Sequence, residues 1–176
     1  MTQPTTYPIA FPDVLSELHK LPFEHRDGDG IDFIPFDEFL PIAEVEDFLR
    51  PWTGNDDVKG DRLAVFGRVS AGGIVAFWVF DPTLKITDQP VIYLGADGEH
   101  MVVAKNFDDY LWLLAGNHGA AEAFEFASDE MTPDPEFTTF AQHYSDSARL
   151  SPEAVVAEAK WLSVNEFTRW ILTICR

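Results

Sequence analysis

Cysteine is almost absent from this sequence: Cys175 is the single one in 176 residues. A disulfide framework and a zinc knuckle built on cysteine are thereby excluded. No histidine and acid accompany Cys175 in the pattern of an activated thiol, so it reads as a free thiol or a small apolar filler. Basic residues are also scarce, with 12 Lys and Arg against 30 Asp and Glu, a formal charge of −18 at pH 7. Proteins that hold nucleic-acid backbones or anionic membrane surfaces draw affinity from Lys and Arg, so neither class of partner is expected. Long apolar runs are missing too. The longest, GIVAFWVF, falls far short of the about 20 residues a membrane helix needs. MTQPTTYPIAFPD has neither a basic region nor a continuous apolar stretch, so no secretory leader is expected and the expected location is cytoplasmic.

What is present argues for a packed core. Hydrophobic residues make up 46% of the chain, with 15 Phe and 5 Trp, a composition incompatible with intrinsic disorder. The length suits one domain. Residues 1–11 read as an irregular, proline-rich arm. Pro12 then opens a short helix carrying Val14, Leu15 and Leu18, which Pro22 ends. EHRDGDGID reads as a polar loop and IDFIPFDEFLP as a packed extended segment. Ile42, Val45, Phe48 and Leu49 share one face of a helix expected to close at Pro51.

The period then changes. RLAVFGR, GGIVAFWVF, PVIYLG and EHMVVAK are short β-rich runs separated by turn residues, Ala71-Gly72-Gly73 and Asp97-Gly98 among them. Runs spaced this closely, with no helix between them, predict an antiparallel meander, with continuously apolar GIVAFWVF as a strand covered on both faces. Trp78 and Phe80 belong to that strand. Asn106 caps a helix through Phe107, Tyr110, Leu111 and Leu114 that Gly116 stops. Trp112 lies off that face and either packs under later helices or anchors a partner, packing being the better reading. Further helices are expected at Pro135 to Tyr144, after Ser151-Pro152, and after a capping box made by Ser163 and Glu166. The expected fold class is α+β: one domain, 1–176, mainly an antiparallel β-meander sheet packed by helices before and after it.

Catalytic and metal motifs are weak or missing. The histidines (His19, His25, His100, His118 and His143) show no HxH or HExxH spacing and read as surface or partly buried residues. His118, just past a helix end, reads as a structural partner of that helix's carbonyls. SAGGIVAF precedes a strand and lacks a lysine, so it is no phosphate cradle, and there is no GxSxG elbow. DGDGIDFIPFDE superficially matches a calcium loop through Asp27, Asp29, Ile34 and Glu38. Ile31, however, stands where an oxygen ligand belongs, and Asp32 where the loop needs glycine. Neighbouring acids such as Asp56-Asp57 and Asp108-Asp109 read as exposed charge. No metal, cofactor or catalytic group is expected.

LAVFGRVSAGGIVAFWVF, followed by QPVIYLGADGEHMVVAKNFDDYLWLLA, carries a resemblance. A strand ending in FG, a glycine turn, an apolar strand, a Pro-Val strand, a glycine hairpin, a VVA strand and the helix NFDDYL (Asn106 to Leu111) follow in order. This pattern resembles the SUKH superfamily, bacterial toxin-immunity proteins related to fungal cell-wall-synthesis regulators. The match covers about residues 62–115, with a weaker helix at 42–50, for a core of 42–115. The short LSELHKLP, where the family has a longer helix, and the helical extension 120–176 depart from the pattern. The resemblance implies a mixed α+β fold that binds proteins without catalysis, as an antidote to a toxin, often a nuclease.

A basic protein partner follows from the charge, since a nuclease groove is basic and an acidic protein is steered toward it. The residues expected to meet it are Asp27, Asp29, Asp32, Trp52, Asp56 and Asp57, with Trp52, in the polar stretch RPWTGNDD, as an exposed anchor among the charges. A regulatory or scaffold domain of the same fold is the alternative, and a small metal-dependent enzyme using Asp27 to Asp32 the third reading.

Overall fold

Alternation along the strands supplies two apolar faces rather than one. The computed structural model describes residues 8–23, 25–26 and 29–176. Within them β1 (His25–Arg26) and β2 (Asp29–Gly30) form a small antiparallel pair inside the stretch expected to be a loop. The main sheet is antiparallel and follows sequence order: β3 (Ile34–Pro35), β4 (Leu63–Arg68), β5 (Ile74–Trp78), β6 (Val91–Leu94) and β7 (His100–Ala104). The expected meander is therefore present, and β3 extends it by a short edge strand whose proline suits an edge.

Ala64, Phe66, Val75, Phe77, Val91, Tyr93 and Val103 point to one core, while Leu63, Val65, Ile74, Ala76, Trp78, Ile92, Leu94 and Val102 point to the other. Burial on both faces, expected of β5, extends to β6 and to β4 as far as Gly67. Phe80 lies beyond the end of β5 and is 38% exposed, so it is no part of the strand's buried row.

Helices cover both faces. On the first pack α1 (Asp13–Leu18), α3 (Phe107–Ala115), α4 (Ala120–Phe126) and α5 (Pro135–Tyr144). On the second pack α2 (Ile42–Thr53) and a long helix made of α6 (Pro152–Leu162), a π-helical turn (Ser163–Phe167) and α7 (Thr168–Ile174). Val155 joins the first core and Ala159 the second, so α6 crosses from one to the other beside β7. The fold is α+β. Among the described residues no helix is long and apolar enough to cross a membrane.

The capping signals act as their chemistry requires. The Asn106 carboxamide accepts from the Asp109 N–H at 2.9 Å and Ser151 Oγ from the Ala154 N–H at 3.2 Å. Trp112 is buried in α3 and donates its indole N–H to the Ser147 carbonyl at 3.2 Å, which is the packed arrangement. Gly72 and Gly98, at φ 97° each, take the left-handed backbone of the two hairpin turns. Gly67 has a packing reason: a Cβ there would stand 2.1 Å from the Phe33 ring.

Three expectations fail for identifiable reasons. α2 does not close at Pro51 but runs on to Thr53 and ends at left-handed Gly54. Val45, Leu49 and Thr53 are buried in one row and the Thr53 hydroxyl bonds the Leu49 carbonyl at 2.7 Å, so packing holds the turn after the proline. Ser163 and Glu166 do not start a new helix. The chain passes through the π-helical turn unbroken, and Ser163 Oγ instead accepts the Val102 N–H at 3.0 Å. That amide belongs to edge strand β7, so the hydroxyl satisfies an edge donor inside the core. Finally, α4 is a helix that the sequence reading does not contain.

Ser163→Ala should leave the Val102 amide buried without an acceptor and lower stability by about 1–3 kcal/mol. Urea unfolding followed by circular dichroism measures this; an unchanged midpoint would show that the hydroxyl is not needed at the edge.

Candidate binding surface

The hairpin end of the sheet gathers acids from three separate parts of the chain. The β4–β5 and β6–β7 turns are neighbours there, a Cβ at Gly72 coming within 3.8 Å of that of Ala96. Asp32, from the segment entering β3, accepts from the Ser70 N–H at 3.0 Å and the Ser70 hydroxyl at 2.6 Å. Its own N–H donates to Glu122 Oε1 at 3.0 Å, and Glu122 Oε2 accepts from the Gly119 N–H at 3.0 Å. One buried carboxylate thus joins the first turn of α4 to the strand segment that carries Asp32.

Tyr93 on β6 faces this cluster. It is buried, and its ring centroid lies 5.8 Å from that of Phe124, which is 38% exposed. Burial pushes the Tyr93 phenol above its usual range, and the charges of Glu99, Glu125, Asp32 and Glu122 push it further. Burial likewise raises the Glu122 carboxyl, opposed by the N–H groups it accepts and reinforced by the neighbouring charge of Asp32. Five basic side chains pair elsewhere: Lys20 with Glu17, Arg50 with Glu46 and Asp47, Lys85 with Asp88, Lys105 with Asp109 and Glu158, and Arg176 with Asp57. Among the described residues no base forms an ion pair with Asp32, Glu99 or Glu125. The result is a patch rich in carboxylates beside Tyr93, whose ring packs against exposed Phe124. Such a patch attracts a cationic surface and offers it a ring face.

Of the residues expected to bind, only Asp32 belongs to this cluster. Asp27 lies outside the described residues, and Asp29 is in β2, opposite Arg26 in the strand register. Trp52 is not an exposed anchor in a loop. It sits on α2, half-buried, with its indole N–H donating to the Gly95 carbonyl at 2.7 Å and its ring edge-on to His100, so it fastens α2 to the β6–β7 turn. Asp56 and Asp57 are exposed beyond α2, where Asp57 pairs with Arg176 at 3.1 Å. In the calcium-like loop, Ile31 is a core residue and Asp32 is engaged by Ser70. Among the described residues no group of His, Cys, Asp and Glu is arranged to hold a metal ion.

Glu99, Glu122, Phe124 and Glu125 were missed. The signal available for α4 was Gly119 followed three residues later by Glu122, half of a capping box without the usual hydroxyl. His118 is fully buried rather than partly so, with Nδ1 2.8 Å from the Gly116 carbonyl oxygen and Nε2 3.2 Å from that of Phe126. Its expected role at the end of α3 therefore holds and extends to the end of α4. His19 stands among the rings of Phe11, Phe23, Phe33 and Phe66, and desolvation there pushes its pKa down.

Comparison with protein-family models, curated proteins and solved structures finds no match to this chain.

Glu122 provides a test of this surface. Its folded-state pKa lies above the unfolded value, so its contribution to stability is present at acid pH and is lost as pH rises through the folded pKa. Wild type should therefore gain stability relative to Glu122→Gln as pH falls from neutrality toward the ordinary carboxyl value of 4.5. Urea midpoints of both proteins across that range measure it, and parallel curves would contradict the burial of a strained carboxylate.

Proposed function

We propose that this chain is a non-catalytic protein-binding module that takes a basic protein partner at the acidic hairpin end of its sheet, as an immunity protein takes its toxin. One observation carries the reading: Asp32, Glu99 and Glu125 converge on Tyr93, whose ring packs against exposed Phe124, and no base among the described residues forms an ion pair with them. A cationic partner supplies the missing countercharge. Charge at the rim governs encounter and orientation, and the aromatic ring provides the contact that persists after water is excluded.

The SUKH-like order of strands and helix supports the same reading, with a toxin domain, often a nuclease, as partner and the cytoplasm as the place where the antidote is needed. Asp32 is already held by Ser70 and joined to α4 through Glu122, which reduces the ordering cost of binding there. The net charge of −18 adds a long-range attraction that salt screens beyond about 10 Å at ionic strengths near 0.1 M.

The experiment is a search of the genes beside this one for a basic toxin domain, followed by a kinetic binding measurement against the domain found and a growth-protection assay; a neighbourhood with no such domain would count against the reading. Expected results are protection, an association rate that falls about tenfold or more as salt rises, and loss of binding in Glu125→Lys. Phe124→Ala should speed dissociation while leaving association nearly unchanged. No binding and no protection would reject the reading, as would binding indifferent to both substitutions.

A further inference from the structure

The last helix carries a second surface of opposite character on the other layer of the fold. From α6 through the π-helical turn to α7 it spans about 35 Å at ~1.5 Å per residue. Val155, Ala159, Ser163, Phe167 and Ile171, four residues apart, face the protein. Trp161, Val164 and Leu172 face solvent at 65%, 59% and 72% exposure, whereas every other exposed large apolar residue described is at 40% or less. The π-helical turn lies within this stripe, between Trp161 and Leu172. A Trp and a Leu left this open on one helix face are costly in water unless something covers them.

Charge identifies what covers them. Along 152–176 the acids Glu153, Glu158 and Glu166 are balanced by Lys160, Arg169 and Arg176, so this stretch is neutral in a chain whose total is −18. A basic partner has no electrostatic reason to choose it over the acidic end of the sheet. Two copies of this chain repel one another through their acidic surfaces, and this stretch adds no net charge to that repulsion. An apolar stripe on locally neutral ground is what self-association of a highly charged protein requires.

We infer that two copies pair through this helix in an antiparallel, two-fold arrangement. An axis passing between Glu166 and Phe167 sets Trp161 of one copy against Leu172 of the other, and each side chain is then used twice, as an isologous contact demands. The three side chains expose on the order of 350 Å². A standard interface takes about 800 Å² from each partner, so Thr168 and the aliphatic stems of Lys160 and Arg169 must complete it. The pairing should accordingly be weak, in the micromolar range, and should strengthen with salt, which screens the repulsion between copies. Binding of a basic partner has the opposite salt dependence, so the two ideas fail separately.

Sedimentation velocity on the full chain, from micromolar to hundreds of micromolar at low and high salt, tests the inference. The expected result is a monomer–dimer equilibrium, favoured by salt and weakened about tenfold or more by Leu172→Glu or Val164→Lys with circular dichroism unchanged. In a Cys175→Ser background, Trp161→Cys combined with Leu172→Cys should give a disulfide-linked dimer on mild oxidation. An intrachain link is excluded because the two positions lie about 16 Å apart along the helix. A monomer under all conditions, or a dimer indifferent to both single substitutions, would overturn the inference. Absence of the cross-link from a dimer that does respond to those substitutions would overturn the antiparallel pairing.

Discussion

Covering one antiparallel sheet on both faces is the constraint from which the rest of this structure follows. Strands with two buried faces cannot carry polar residues on either, which is why β5 and β6 are apolar throughout and β4 is buried until Arg68. Each face then needs its own helical layer. The chain meets that need by sending α1, α3, α4 and α5 to one side and α2 and the last helix to the other. With the strands unable to hold charge, the excess of acids is displaced to the turns at the sheet end and to the outward faces of helices.

This displacement gives the acidic end its character. Asp32, Glu99 and Glu125 come from a strand entry, a hairpin turn and a helix, and all three act electrostatically on Tyr93. Glu122 is the member drawn inward. It accepts backbone N–H groups from Gly119 and Asp32, exchanging hydration for hydrogen bonds, and so ties α4 to the sheet at the cost of a carboxylate that burial makes harder to ionise. The neutral, apolar last helix lies on the opposite layer. The surface proposed for a cationic partner and the one proposed for a second copy share no residues.

Legibility followed the range of the interaction involved. The helices of α3, α5 and α6 and both glycine turns are readable because their signals (Asn106, Pro135, Ser151-Pro152, Gly72, Gly98) act within a few residues. The candidate site was readable only at Asp32. Trp52 was misplaced because its neighbours in sequence are polar, while its partner, the Gly95 carbonyl, is 43 residues away. Ser163 carries the local signal of a cap, a hydroxyl followed by a glutamate three positions on, whereas its acceptor role toward Val102 spans 61 residues. Pro51 failed as a stop because tertiary burial outweighed a local penalty.

By itself, the sequence determined the fold class, the meander order of the strands and the strong negative charge, since period, turn chemistry and composition are properties of adjacent residues. Only the tertiary structure decided which carboxylates share a surface, that Trp52 and Ser163 serve as fasteners, and that Trp161 and Leu172 remain uncovered. The physical reason is that burial and electrostatic neighbourhood depend on contacts between segments far apart in the chain, and local patterning carries no record of those contacts.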